Sequence, residues 1–284
     1  MTQTIPSPVL HGVHHTARPT WKLAETVHFY RDLLGLPLLH AISARGWGPH
    51  EHPDFLHFFF DAGNGATIAF FYYIGTERPD WLPVRSHTFD LATHTAWRVQ
   101  TQAELLAWRD RAQQVGIPLQ MQVRHEVIES LYFEDPNGYP VEITIQLRPF
   151  EREDSDDATH TIEAAIALEQ ARDAGGSFNS IDDVWLRKAG RVDAGHPPAA
   201  ASAYVLDVPE FRALIDAAKA RTGYRTTLLS SGYTRIDGNP SLQFNRKELG
   251  FKPAIWYGLL TGGFAGRIER FDMHELVIGA GEAA

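Results

Sequence analysis

The chain has 284 residues, 44% hydrophobic and 21% charged, a composition typical of a globular protein with a sizeable core. Acidic residues outnumber basic ones by 35 to 26, and the formal net charge of -9 provides no basic field for nucleic acid. The absence of cysteine excludes disulfides, zinc–thiolate sites, iron–sulfur clusters and a thiol nucleophile. A metal would therefore need histidine, carboxylate and water, and the chain has 14 histidines.

The N-terminal sequence, MTQTIPSPVLHG, lacks the basic and apolar regions of a secretion signal. No later run of about 18 uncharged apolar residues could form a membrane-spanning helix. We therefore expect a cytoplasmic protein that binds neither membrane nor nucleic acid.

An internal repeat organises the first 150 residues. The sequence His-Thr-Ala occurs at 15–17 and again at 94–96, each time within an apolar run typical of a strand. An amphipathic pattern that predicts a helix follows each copy, and both patterns stop at Gly-Leu-Pro or Gly-Ile-Pro. The predicted strands cover 13–18 and 92–99, and the predicted helices cover 21–34 and 102–115.

Three strand-like runs follow each predicted helix. The last two runs of each copy are joined by Asn-Gly, at 64–65 and at 137–138, and this dipeptide between apolar runs is a strong hairpin signal. The sequence thus predicts an α+β fold of paired βαβββ modules, connected through residues 76–88.

A change of composition at 151–157, EREDSDD, suggests a domain boundary, which gives domains 1–150 and 151–284. We interpret the second as an additional α+β region of unknown role, for which a lid or an oligomer interface is possible, and we expect a homo-oligomer. Its predicted strands are 202–208, 224–229, 241–245, 254–260 and 275–278, and its predicted helices are 161–174 and 209–221.

Glu142 lies between Val141 and Ile143, where a lone carboxylate costs several kcal/mol unless it is paired or bound to a cation. Pairing of the modules into one curved sheet would bring it near His15 and His94, which occupy equivalent repeat positions. Two imidazoles and a carboxylate with open coordination positions suit non-haem Fe(II), and also manganese or zinc.

Each of these residues has a simpler interpretation. A single strand histidine is more often structural than a ligand, and the shared repeat position is what favours a metal site. His14 is the neighbouring alternative to His15, but strand alternation should place it on the other side. His87 is a weaker alternative to His94, because it lies too far before the second predicted helix.

The twin βαβββ modules resemble the vicinal oxygen chelate superfamily. Residues 123–142 are similar to the signature of its type I extradiol ring-cleavage dioxygenases, with His125, Tyr132, Gly138 and Glu142 at the required spacing. The resemblance spans roughly residues 9–148. It implies an Fe(II) enzyme, with Mn(II) or another divalent metal as alternatives, that cleaves a catechol-like aromatic diol with dioxygen.

The resemblance also implies a role for each matching residue. His15, His94 and Glu142 would ligate the metal, His125 would hydrogen-bond the bound substrate or oxygen, and Tyr132 would hydrogen-bond a substrate oxygen. Taken alone, Tyr132 would more often be a core tyrosine and His125 a strand-edge histidine.

The sequence departs from the family at Gly65-Ala66, where extradiol enzymes usually carry a histidine that moves a proton. His57 is a possible substitute, because alternation points it into the same cavity as Phe59. His52, the repeat partner of His125, is a weaker candidate. The aromatic runs 58–60 and 70–73 could line a pocket for a flat ring.

Two other functions remain open on this scaffold. One is a glyoxalase-like or epimerase-like metal-dependent lyase or isomerase, although Ala69 occupies the position where a glyoxalase usually has a further ligand. The other is a resistance protein that binds an aromatic ligand without turnover.

Overall fold

The structure, a computed structural model, describes residues 13–44, 53–80, 82, 94–124, 126–194 and 201–281. Three candidate histidines lie outside these described residues: His52, His87 and His125. The chain forms two compact units. The first comprises the chain up to Val123 together with Glu129–Gln146, and the second comprises Arg124–Ile128 and the chain from Leu147 onward.

The first module of the first unit is a strand, a helix and three further strands. Its strands form one sheet in the order β1-β4-β3-β2, in which β1 and β4 are parallel. The elements are β1 (His15–Thr20), α1 (Leu23–Val27) continuing into a π-helical turn (His28–Leu33), β2 (Leu38–Ala44), β3 (Phe55–Asp61) and β4 (Thr67–Tyr73).

The second module repeats this arrangement. Its elements are β5 (Thr95–Val99), α2 (Gln102–Gln114), β6 (Met121–Arg124), β7 (Ile128–Glu134) and β8 (Pro140–Gln146). A capping box begins α2, since the Thr101 hydroxyl accepts the Glu104 N–H and the Glu104 carboxylate accepts the Thr101 N–H. The predicted βαβββ repeat is confirmed.

The two modules nevertheless form separate sheets, and the expected single curved sheet is wrong for the described strands. The second sheet has the order β5-β8-β7-β6, with β5 and β8 parallel. Among the described strands, the first strand of each module is an edge strand, and it pairs with the last strand of its own module. Each first strand therefore pairs with a strand that follows it by a crossover connection.

Each sheet has one face toward a helix and one face away from it. In β3, Phe58 and Phe60 are buried on the helix side, where the Phe60 ring stacks on Tyr30 with centroids 5.5 Å apart. His57 and Phe59 alternate onto the opposite face. We call this opposite face, in either module, the site face.

A buried hydrogen-bond network joins the two modules. The Asn137 side chain accepts from the Thr20 hydroxyl at 2.7 Å and donates to the Thr26 hydroxyl at 2.9 Å. The Tyr30 hydroxyl donates to Asp135 at 3.1 Å, and burial is the main cause that raises the pKa of both groups. The turn between β7 and β8 is thus bonded to the first helix and first strand of the other module.

The second unit contains two antiparallel sheets, ordered β10-β11-β9-β13 and β12-β15-β14. Its helices are α3 (Arg152–Asp173), α4 (Ile181–Val192), a 3-10 turn (Pro209–Phe211), α5 (Arg212–Ala220) and α6 (Pro253–Tyr257). Its strands are β9 (Ala201–Leu206), β10 (Tyr224–Leu228), β11 (Tyr233–Gly238), β12 (Leu242–Asn245), β13 (Gly263–Ala265), β14 (Arg267–Phe271) and β15 (Glu275–Gly279).

The prediction of a strand at 254–260 is wrong, because this segment begins with α6. Pro253 stands in the first turn of α6, and Trp256 is completely buried in the core of the second unit. A short apolar run does not distinguish a buried helix from a buried strand. None of the helices in the described ranges is long and apolar enough to cross a membrane.

Candidate metal centre

The parallel pairing of β5 with β8 brings His94 and Glu142 together. Ala96 lies opposite Glu142 in the register, and His94 is two residues earlier on the same face. His94 Nε2 is 2.8 Å from Glu142 Oε2. The Glu142 side chain is only 3% exposed and that of His94 is 32% exposed, so a buried carboxylate meets an accessible imidazole.

Tyr132 completes the surroundings of this carboxylate. Its hydroxyl donates to Glu142 Oε1 at 3.0 Å from the neighbouring strand β7. Burial and then the Glu142 charge raise the pKa of the Tyr132 phenol. Both carboxylate oxygens therefore have a polar partner, which compensates for much of the cost of burial.

His15 lies in the first module, at the exposed start of β1 and opposite Thr67 in β4. Its ring centroid is 6.0 Å from Phe59 and 6.4 Å from His57 on the site face. Its Nδ1 atom is 2.8 Å from Nδ1 of His14. Strand alternation was expected to place His14 on the other side from His15; His14 precedes the first strand residue, and its ring contacts that of His15.

His57 is buried in β3, with 8% of its surface exposed. Its Nδ1 atom is 3.1 Å from the Phe70 carbonyl oxygen, which can only accept, so Nδ1 carries the hydrogen and Nε2 is left as an acceptor. Its ring stacks on Phe71 with centroids 3.7 Å apart. Burial lowers the pKa of His57, assisted by repulsion from His15 and His40 and opposed by the carbonyl contact.

The structure therefore brings the predicted residues together in two groups. His94, Glu142 and Tyr132 lie together in the second module, and His15 and His57 lie on the site face of the first. Within the described ranges, no three histidine, aspartate or glutamate side chains are grouped closely enough to hold a metal ion. The predicted three-ligand set is thus not assembled in this structure.

The residues present nevertheless suit a divalent metal in their chemistry. His94 and Glu142 supply an imidazole nitrogen and a carboxylate oxygen from neighbouring strands, the donor types that Fe(II), Mn(II) and Zn(II) accept. His15 offers a second imidazole at the equivalent position of the other module. These residues therefore match the types of ligand atom that such a metal accepts, and His94 and Glu142 are the two that are already in contact.

Sequence reasoning missed His40 as a site-face residue. It lies on β2, opposite Phe59 in the register, with ring centroids 5.7 Å apart. The available signal in the sequence was the alternation of side chains along 38–44, which places His40 on the same face as Ile42. Ile42 lies opposite His57 in the register.

Comparison with known proteins finds a family match within the first unit. Residues 12–143 match the family model described as the glyoxalase/bleomycin resistance protein/dioxygenase superfamily. The paired modules have the vicinal oxygen chelate fold. This superfamily includes glyoxalases, dioxygenases and fosfomycin resistance proteins, and its members typically bind a divalent metal.

Several solved structures are similar to about half of the chain. A lactoylglutathione lyase from Agrobacterium tumefaciens is 23% identical with a TM-score of 0.35, and the match covers 50% of this chain and 100% of that one. The fosfomycin resistance protein FosX from Listeria monocytogenes is 17% identical, with a TM-score of 0.34 and coverages of 48% and 94%. A putative dioxygenase from Bacillus subtilis is 21% identical, with a TM-score of 0.36 and coverages of 48% and 40%. No curated protein matches the chain.

Proposed function

We propose that the protein is an Fe(II)-dependent extradiol dioxygenase that opens the ring of a catechol-like aromatic diol with dioxygen. The observation that carries this proposal is the contact of His94 with the buried Glu142, which is held in turn by Tyr132. His15, His94 and Glu142 would hold the metal. The family match to residues 12–143 supports a metal-binding scaffold of this kind.

The metal would supply the chemistry that no side chain of this site provides. When bound, Fe(II), or Mn(II) in its place, would bring diol and dioxygen together and lower the pKa of the diol hydroxyls. Two protein imidazoles and one carboxylate leave coordination positions open for both reactants.

The protein's own residues would orient the reactants and move protons. Tyr132 holds the Glu142 carboxylate through its hydroxyl and, in this proposal, would also hydrogen-bond a substrate oxygen. His57 presents Nε2 as an acceptor, which suits it to take a proton where Gly65-Ala66 provides no histidine. His125, which lies outside the described residues, would hydrogen-bond the substrate.

Aromatic side chains would hold the flat ring of the substrate. Phe59 and Phe71 are half-buried on the site face, beside His57. Partly exposed aromatic rings next to a polar group favour stacking with a planar ligand over binding of a flexible one.

A glyoxalase-like lyase is the nearest alternative on the same fold. Ala69 in β4 is completely buried and lies opposite Phe59 and Ala17, so it presents no ligand atom at the position where such an enzyme usually has one. Ala69 therefore favours a site in which three protein residues ligate the metal over one in which four do.

The test is oxygen uptake by the full chain, purified without oxygen and analysed for metal after Fe(II) addition. With a panel of catechols and hydroquinones, we expect stoichiometric iron, substrate-dependent oxygen consumption and a coloured ring-cleavage product. Bound metal without oxygen uptake on any diol would point to a lyase or isomerase. An absence of bound metal would return His15, His94 and Glu142 to structural roles.

A further inference from the structure

Two adjacent histidines contact one another at the start of β1. The Nδ1 atoms of His14 and His15 are 2.8 Å apart, and their rings are nearly perpendicular, with an interplanar angle of 85° and centroids 5.1 Å apart. The His14 backbone is held in place because its carbonyl oxygen accepts the Thr67 N–H at 2.9 Å. The backbone that carries the His14 ring is therefore fixed to β4.

A short contact between two imidazole nitrogens requires that one carries the hydrogen and the other accepts it. If Nδ1 of His15 donates, its Nε2 lone pair is free for a metal. If Nδ1 of His15 accepts, the hydrogen is on Nε2 and blocks that nitrogen as a ligand. The partner of one ring nitrogen therefore decides whether the other can bind metal.

We propose that His14 is a positioning residue that accepts the Nδ1 hydrogen of His15 and so keeps Nε2 of His15 available to the metal. This inference rests on the proposed function, in which His15 is a ligand. Metal-binding histidines usually donate this hydrogen to a carboxylate, a backbone carbonyl or water. In the described part of the chain, the hydrogen-bond partner of His15 is the ring of His14.

The first test measures the tautomer of His15 in the metal-free protein, through two-bond nitrogen–proton NMR spectra of histidine-labelled full chain. The His15 signals are assigned by their loss in His15→Gln. We expect the Nδ1–H tautomer in the wild type and a shift toward Nε2–H in His14→Ala. His14→Asn should restore Nδ1–H, because the asparagine amide oxygen accepts a hydrogen bond.

His28→Ala is the matched control, since His28 is an exposed histidine that contacts Asp32 within the helical segment of the same module. It should leave the His15 signals unchanged. A wild-type His15 in the Nε2–H form, or a His15 tautomer that does not change in His14→Ala, would overturn the inference.

The second test titrates Mn(II) alone into the same variants and follows binding by calorimetry. We expect His14→Ala to weaken Mn(II) binding by about 10- to 100-fold and His14→Asn to recover most of it. Wild-type Mn(II) binding together with an unaffected His14→Ala variant overturns this inference and leaves the proposed function standing. A wild type that binds neither Mn(II) nor Fe(II) overturns both, whatever the tautomer.

Discussion

Glu142 is a carboxylate almost completely removed from water on the site face of the second module. Its two oxygens contact His94 and Tyr132, so each oxygen has a polar partner. In Glu142→Gln the amide keeps the size of the side chain but loses the negative charge that attracts a cation. We expect iron binding to fall by at least about 100-fold, measured by equilibrium titration and by metal content.

Glu134→Gln is the control for this substitution. Glu134 is an exposed carboxylate on β7, the strand that also carries Tyr132. It should retain stoichiometric iron. Equal iron content in Glu142→Gln and in the wild type would remove Glu142 from the ligand set.

His57 allows proton transfer to be separated from metal binding. His57→Gln keeps a polar side chain at the site face but replaces the imidazole that presents Nε2. We expect substrate-dependent oxygen uptake to fall by about 100-fold with iron content unchanged, because general acid–base catalysis typically contributes about 10²–10⁴-fold. In His28→Gln, which changes an exposed helical histidine, uptake should remain at the wild-type rate. Full activity of His57→Gln would show that another group moves the proton.

At the level of single residues, the repeat predicted that His94 and Glu142 lie close together. The expected nearness of His94 and Glu142 is observed, but it comes from the parallel pairing of β5 with β8 within one module and not from the single curved sheet on which the expectation was based. The hydrogen bond from Tyr132 to Glu142 and the contact of His14 with His15 could not be predicted. Both depend on side-chain rotamers and on where the strand begins, which a two-residue period does not specify.

Among the elements, the two Asn-Gly hairpin turns differ in conformation, burial and structural role. In the β3–β4 turn, Asn64 and Gly65 both have positive φ, at 51° and 80°, and the two residues are exposed. In the β7–β8 turn only Gly138 has positive φ, while the Asn137 side chain is buried between Thr20 and Thr26. The Asn-Gly dipeptide predicted both hairpins, but it did not indicate that the Asn137 side chain bonds one module to the other.

Asn137→Ala should therefore destabilise the protein. It removes one partner from each of two buried hydroxyl groups, which still contact each other. We expect a loss of about 1–3 kcal/mol in the free energy of unfolding, measured by urea denaturation. Asn64→Gly is the matched control, because glycine adopts positive φ without strain, and it should change stability by less than about 0.5 kcal/mol. Equal stabilities of the two variants would contradict the role of this network.

For the whole molecule, Glu126 makes stability depend on pH. Burial, followed by repulsion from Asp157 and Glu210, raises the pKa of this carboxyl in the second unit to about 7. The unfolded chain ionises it near its ordinary value of 4.5, so the folded state binds more protons between these pH values. Stability is therefore lost as the pH rises through this window and levels off above about 7.

Glu126→Gln should remove this loss. Between pH 5 and pH 8, we expect the wild type to lose up to about 2 kcal/mol of unfolding free energy that the variant keeps. Urea denaturation at each pH measures this difference. Glu248→Gln changes an exposed carboxylate of the same unit and should follow the wild-type curve. A Glu126→Gln curve parallel to that of the wild type would show that Glu126 has an ordinary pKa.

The second unit was the part of the molecule that the sequence described least. Several of its strands and α5 were predicted near their observed positions, whereas β11, α4 and the helical nature of α6 were not. It offers no repeat with which one segment can support the interpretation of another, and its short apolar runs are ambiguous alone.

The segment Arg124–Ile128 groups with the second unit, although β6 as far as Val123 and β7 from Glu129 onward belong to the first. The border between the units is therefore crossed more than once along the chain. A chimera that exchanged everything after Gln146 for the ending of another protein would divide the second unit, because Arg124–Ile128 would stay with the first. A chimera designed to exchange the whole second unit should therefore exchange Arg124–Ile128 together with the C-terminal region, which takes more than one crossover.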